Sequence, residues 1–361
     1  MKGVTLSLQC SAIKRLIFFI PTMKFNAIVG NPPYQEEDGG FRISAHPIYD
    51  VFTRQALSLK SDYVSLLIPA RWFSGGKGME SFRDEMIHNR SLCELHDYPV
   101  AIDCFESVQI KGGVCCLLFD NSYSGSCSVT THIGDYVGVS EKRNLANDGD
   151  KIFIRYNEAL SIIKKVKKLK EPTMDSFVSR RIPFGLPTYF HGKKEKPSSD
   201  WIRIYENQGI SYASRDVVVK NKDVVDQFKV FIPRSSDGSD FIPHVILGIP
   251  FLGKPGTACS ETFNFIGPFK SQKICENVML YISTKFFRFM AMQMKNSQSA
   301  TKKLYSFVPV QNFNKKWTDE KLYTKYKLTW KEINFIEAMI RPMDLKRQRK
   351  QRYWKDLPKE L

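Results

Sequence analysis

The sequence predicts an α/β domain followed by an α+β domain. Three observations carry this expectation. Short apolar runs ending at Gly or Pro alternate with amphipathic stretches over the first 150 residues; a polar, turn-rich segment, Arg143-Asn144-Leu145-Ala146-Asn147-Asp148-Gly149-Asp150, then interrupts the chain; beyond it the apolar runs shorten among Gly, Pro and Ser. At 361 residues the chain is more than twice the usual domain size. Residues 1–150 and 151–343 are the expected domains, and 344–361 form a basic carboxy-terminal tail containing Lys346-Arg347-Gln348-Arg349-Lys350-Gln351-Arg352.

In the first domain, Phe25-Asn26-Ala27-Ile28-Val29-Gly30 reads as a buried strand ending in a tight loop at two prolines. Ile48, Phe52, Ala56 and Leu59 recur at helical spacing, and Tyr63 to Pro69 is a second apolar strand closed by proline. Strand, loop, helix, strand is the βαβ unit, and a mostly parallel sheet follows from it. A helix is predicted from Met79 to Asn89 with Phe82 and Met86 on one face, then a strand from Gly113 to Phe119. After the boundary, Asn157 is expected to cap a helix whose stripe is Leu160, Ile163, Val166 and Leu169. Val217-Val218-Val219, Phe228 to Ile232 and Thr262 to Ile266 read as β, Ile274 to Met294 as the main helix and Lys331 to Met339 as a short terminal one.

Hydrophobic residues at 42%, aromatic at 13% and charged at 25% exclude a disordered or collagen-like chain. The charge is unusual. Fifty-four Lys and Arg against 37 Asp and Glu leave +17, which favours a polyanionic partner, nucleic acid ahead of membrane. The run from Leu16 to Pro21 is too short to span a bilayer, so a cytoplasmic protein is expected. Eight cysteines without a C-x-x-C pair predict reduced thiols, and six histidines without ligand spacing predict no metal. No clustered carboxylates of nuclease type are visible; Glu36-Glu37-Asp38 and Asp237 with Asp240 lie in turns.

The most specific feature is Asn31-Pro32-Pro33-Tyr34, following the first strand on the edge where open α/β sheets bind ligands. Two prolines fix the loop and remove two amide donors, leaving the Pro32 carbonyl free to accept. With the Asn31 side chain it can take both hydrogens of one exocyclic amino group, freeing the nitrogen lone pair to attack an electrophilic methyl. Tyr34 offers a face for a planar base. A rigid turn without chemistry is the bland alternative. Lys193, Lys194 and Lys196 near Tyr189 and Phe190, with Lys302 and Lys303 before Tyr305, are the candidate phosphate contacts.

The run from Phe25 to Gln35 resembles the catalytic motif of amino-group DNA methyltransferases, specifically the adenine-N6 enzymes of the Eco57I-like restriction-modification group. Ile68-Pro69-Ala70-Arg71-Trp72-Phe73-Ser74-Gly75-Gly76-Lys77-Gly78 is similar to that group's next strand-to-loop segment, and Ile110-Lys111-Gly112-Gly113-Val114 to its late sheet motif. Ser260-Glu261-Thr262-Phe263, Gly267-Pro268-Phe269 and Tyr305-Ser306-Phe307-Val308-Pro309-Val310 are similar to its target-recognition region. The resemblance, from about Lys24 to Met343, implies a partial Rossmann-like methyltransferase sheet, an α+β target-recognition domain, S-adenosylmethionine as cofactor and double-stranded DNA as partner.

One departure is large. The family's glycine-rich cofactor loop precedes the catalytic motif by many tens of residues, and only 30 residues precede Asn31 here. Phe251-Leu252-Gly253-Lys254-Pro255-Gly256 is the nearest permuted candidate, but its proline removes an amide and β-like sequence follows it. The cofactor-binding residues are therefore unassigned, and residues 1–22 do not resemble the family. A truncated or split gene is expected, inactive alone, with a complementing polypeptide restoring the missing motif. The alternatives are a non-catalytic DNA-binding or specificity remnant, one half of a split methyltransferase, and a protein-glutamine methyltransferase, the last disfavoured by the large basic second domain.

Overall fold

The structure is a computed structural model that describes residues 25–36, 46–75, 78–105, 110, 112–134, 136–146, 152–236, 242–295 and 300–346. The first half is built on β1 (Ala27–Gly30), α1 (Tyr49–Ser58), β2 (Tyr63–Pro69), α2 (Glu80–His88), β3 (Leu92–Tyr98), β4 (Val114–Asp120), β5 (Cys127–Ile133), β6 (Tyr136–Val137) and β7 (Glu141–Arg143). The strands form one sheet in the order β1-β2-β4-β3-β5-β6, with β7 also on β5. Side chains alternate, so Val64, Leu66 and Ile68 of β2 and Cys115, Leu117 and Phe119 of β4 face one core. Tyr49, Phe82, Met86 and Trp72 cover that face. Each large apolar side chain buried there contributes roughly 1.5–3 kcal/mol.

The sheet is mixed, which corrects the expectation of a mostly parallel one. β1 with β2 and β3 with β5 are parallel, but β4 is antiparallel to both of its neighbours. Among the described residues, no α-helix lies between β3 and β4. The chain turns back through a 3-10 turn at Ala101–Asp103, and Val114 pairs with Tyr98; a return of this kind needs no crossover helix.

The second half contains α3 (Asn157–Lys168), β8 (Ile202–Glu206), β9 (Gly209–Ala213), β10 (Phe228–Pro233), β11 (Phe251–Gly253), β12 (Thr257–Cys259), β13 (Phe263–Phe269), α4 (Gln272–Ser283), α5 (Lys285–Met292), α6 (Asp319–Lys325) and α7 (Trp330–Met339). Two three-stranded sheets, β11-β10-β13 and β12-β8-β9, pack with these helices in an α+β arrangement. The segment after the polar boundary serves both halves: Phe153 packs in the first core, Ile152 and Ile154 in the second.

Several local expectations are overturned. The buried face of α1 is Tyr49, Thr53 and Ala56, and Leu59 lies past its end and is exposed. Tyr156 has the non-helical backbone of an N-cap, so Asn157 is the first helical residue; its amide instead donates to the Val129 and Val139 carbonyls and accepts from Arg143. The buried stripe of α3 is Ala159, Ile162, Ile163 and Val166, with Leu169 exposed. Val217 closes a 3-10 turn, Val218 and Val219 lie outside any strand, and the single long helix is two. Thr284 breaks it: its hydroxyl accepts from the Phe287 amide, and the Asp319 carboxylate accepts from the Lys285 and Phe286 amides, together capping α5.

The seven described cysteines are unpaired. No helix among the described residues is long and apolar enough to cross a membrane.

Candidate active site

β1 runs parallel to β2, with Gly30 opposite Leu66, so Asn31 leaves the sheet at its carboxyl edge. Ala70–Ser74 leaves the same edge after β2, and the Gly112–Gly113 turn meets it before β4, where the Ala70 amide donates to the Gly113 carbonyl at 3.0 Å. The three sequence segments singled out in the first half therefore converge on one end of one sheet. Asn31 and Pro33 are exposed, and Pro32 and Tyr34 are partly buried. The loop is tethered on its far side: the Ile48 amide donates to the Tyr34 carbonyl and the Glu36 amide to the His46 carbonyl.

The Tyr34 hydroxyl is turned inward and has no aligned hydrogen bond. Burial pushes its pKa up to about 12, while the adjacent Asn31 side chain pulls the other way. The hydroxyl is thus a neutral anchor, and the two side chains assigned to the amino group and the base lie against each other. Nearby, the Tyr49 hydroxyl is also buried without an aligned partner, and burial raises its pKa. Trp72 is fully buried, its indole approaching the Cys115 thiol, whose pKa burial raises well above the usual range.

The glycine turn is rigid for a steric reason. Gly113 has φ +79°, and a Cβ there would lie 2.1 Å from the Tyr98 carbonyl oxygen and 2.7 Å from that of Pro99. Arg155 donates to the Gly112 carbonyl at 2.5 Å and forms a 2.8 Å ion pair with Asp97. Asp97 is fully buried, yet neither oxygen has an aligned hydrogen bond. Burial raises its pKa to about 7, against the pull of Arg155 and Arg143. On the neighbouring loop, buried Arg83 donates to the Ser74 carbonyl at 3.1 Å. Tyr49, Arg83, Asp97 and Arg155 were not anticipated from the sequence.

At this edge Gly75 and Gly78, both with positive φ, lead from the Ala70–Ser74 segment towards α2, and the carboxylate near the end of β3, Asp97, is buried against Arg155. Residues 251–256 run from β11 towards β12, not into a helix. None of the described residues is assigned to S-adenosylmethionine. No group of three or more metal-binding side chains occurs among them either.

The lysines lie elsewhere. Lys193, Lys194 and Lys196 are exposed beside Tyr189, which is 82% exposed, and the Lys193 ammonium lies 5.2 Å from the centre of the Trp201 ring. Lys302 and Lys303 open a separate 3-10 turn, Lys302 partly buried and Lys303 exposed. Of the basic tail 346–352, all but Lys346 falls outside the described residues.

With this geometry in view, residues 9–105 match the model of the Eco57I restriction-modification methylase family. This stretch is similar to that family. The match starts at residue 9, so the Eco57I-like segment reaches into residues expected to lie outside the resemblance. A Mycoplasma pneumoniae protein described as an uncharacterized adenine-specific methylase is 30% identical over 173 residues, covering 45% of this chain and 41% of that protein. The chain thus spans about two fifths of this relative's length. Among solved structures, the type IIG restriction endonuclease BpuSI is similar over 92% of this chain and 48% of its own, at 12% identity and TM-score 0.36. The type IIL restriction-modification enzyme MmeI, solved in complex with DNA, is similar over 78% and 46%, at 10% identity and TM-score 0.43.

Proposed function

We propose that this chain supplies the acceptor site and the target-recognition part of a site-specific DNA adenine-N6 methyltransferase of a restriction-modification system. The observation that carries it is the placement of Asn31-Pro32-Pro33-Tyr34 at the carboxyl end of a parallel strand, on the edge shared with Ala70–Ser74 and Gly112–Gly113, within a stretch matching the Eco57I-like model. In this reading an adenine leaves the duplex. Its amino group donates one hydrogen to the Asn31 side chain and one to the Pro32 carbonyl, Tyr34 packs against the ring, and no proton is removed before attack. The methyl donor is S-adenosylmethionine by resemblance, held by residues other than those described. Among the described residues strand β1 is the sheet edge, with Val29 79% exposed, and is where a complementing strand would pair. We take the chain to be inactive without that complement.

Lys193, Lys194 and Lys196, near the exposed Tyr189 in sequence, and Lys302 and Lys303 on their separate turn would neutralise DNA phosphates, and affinity should fall by roughly 0.9 log per log salt for each. A second reading, a non-catalytic specificity remnant, is favoured by one observation: residues 1–30 contain no glycine-rich F-x-G-x-G loop. Co-expression with a polypeptide carrying the cofactor segment, in a host lacking adenine methylation, separates the two. N6-methyladenine at one recurring sequence, lost in Asn31→Ala, is expected; unmethylated DNA under soluble co-expression would favour the remnant.

A further inference from the structure

A cavity of about 590 Å³ opens in the second half of the chain, and none of its walls comes from the sheet-end site. Its floor is apolar, formed by Leu247, Ile249, Phe251 and Phe263, with the two phenylalanine rings edge to face at 5.3 Å. Its charged lining includes Arg234, Glu261 and Arg288, and Arg341 stands at the exposed rim with Asp344.

These groups are held in place. Glu261 is buried and bridges two arginines, with Arg181 donating at 2.5 Å and Arg234 from the other side. Against burial, which pushes it up, the two arginines hold the Glu261 pKa below the usual range. Arg234 is thereby charge-balanced and oriented beside a carboxylate, so that one short stretch of wall presents both donors and an acceptor. The Arg341 backbone is fixed twice: its amide donates to the His244 carbonyl at 2.9 Å, and its carbonyl accepts from buried Arg288 at 2.5 Å. Among the described residues no carboxylate pairs with the Arg341 guanidinium.

An apolar floor suits the face of a planar heterocycle, a mixed donor and acceptor wall suits its edge, and a guanidinium at the rim suits phosphate. We propose that this cleft holds one nucleotide, its base on the Phe251 and Phe263 floor with its edge at Arg234 and Glu261, and its phosphate at Arg341. Donor and acceptor side by side discriminate between bases, because a mismatched edge leaves one of them unpaired. The nucleotide comes either from DNA, which rests on the function proposed above, or from a free pool.

Calorimetric titration of the full chain with each of the four deoxynucleoside monophosphates tests the site without requiring methylation. At least one should bind, Arg341→Ala should weaken it tenfold or more, and Ile249→Trp, at a partly buried position of the lining, should abolish it while the melting temperature shows a folded protein. A short oligonucleotide that competes assigns the nucleotide to DNA; one that does not assigns it to the free pool, and either result keeps the site. No monophosphate binding, or binding untouched by both substitutions, overturns the proposal and leaves the methyltransferase reading standing.

Discussion

Asp97 and Lys229 are both fully buried charged side chains, one behind the candidate active site and one in the second half of the chain, and they are treated in opposite ways. The Lys229 ammonium sits in a cage of main-chain carbonyls, donating to Val224 at 2.9 Å, Val225 at 2.8 Å, Gln227 at 3.1 Å and Lys254 at 3.4 Å. Asp97 has one arginine and no aligned hydrogen bond. The first is a satisfied group that closes a 3-10 turn and a loop. The second is a poorly satisfied group whose ion pair holds Arg155 against the glycine turn at the sheet end. Poorly satisfied groups persist where surrounding structure fixes them, and they cluster at sites that do chemistry.

The largest effect expected in this comparison is at the turn that Asp97 supports. Gly113→Ala places a methyl 2.1 Å from a backbone oxygen in a left-handed conformation. It should cost about 3 kcal/mol or more in urea denaturation, with loss of the first core. Lys229→Met should follow at about 2–4 kcal/mol, because several buried carbonyls lose their donor. Asp97→Asn should cost less than Lys229→Met, since it removes a desolvated carboxylate; a larger cost would break the comparison.

Dependence on pH sharpens it. The Asp97 pKa is raised from 3.8 to about 7 in the fold, so the folded state binds this proton more tightly than the unfolded chain. The resulting stability is present below about pH 4 and is lost as pH rises through about 7. Burial lowers the Lys229 pKa from 10.5 to about 7, so its penalty is relieved as pH rises from about 7 to 10.5. Denaturation midpoints should fall with pH in the first window and rise in the second, and Asp97→Asn and Lys229→Met should each flatten only its own window. The smallest effect is at Tyr34→Phe, which removes a buried hydroxyl with no aligned partner and should leave stability unchanged or raised by under about 1 kcal/mol.

The elements legible in the sequence were those whose apolar runs end at a breaker. β1 and β2 stop at Asn-Pro-Pro and Pro-Ala, and α2 shows Phe82 and Met86 four apart. β3 was missed because a register shift between Leu92 and Glu94 interrupts the alternation, and because its inward positions include a carboxylate. The division of α4 from α5 was invisible in an uninterrupted apolar stretch, since it depends on the Thr284 hydroxyl and on Asp319, far along the chain. The candidate loop was readable because its four residues are consecutive in the chain. Asp97, Arg155 and Arg83 were not, because they act on that edge through partners the fold brings from other elements.

The central claim is that Asn31 and the Pro32 carbonyl grip an exocyclic amino group. Single-turnover methylation of a cognate duplex by the chain reconstituted with its cofactor-binding complement tests it most directly. Asn31→Ala should lower the rate roughly 10²- to 10³-fold, with Tyr34→Phe close to the parent and Tyr34→Ala weaker in binding by about 1–3 kcal/mol. An Asn31→Ala protein that methylates at the parental rate would contradict the claim.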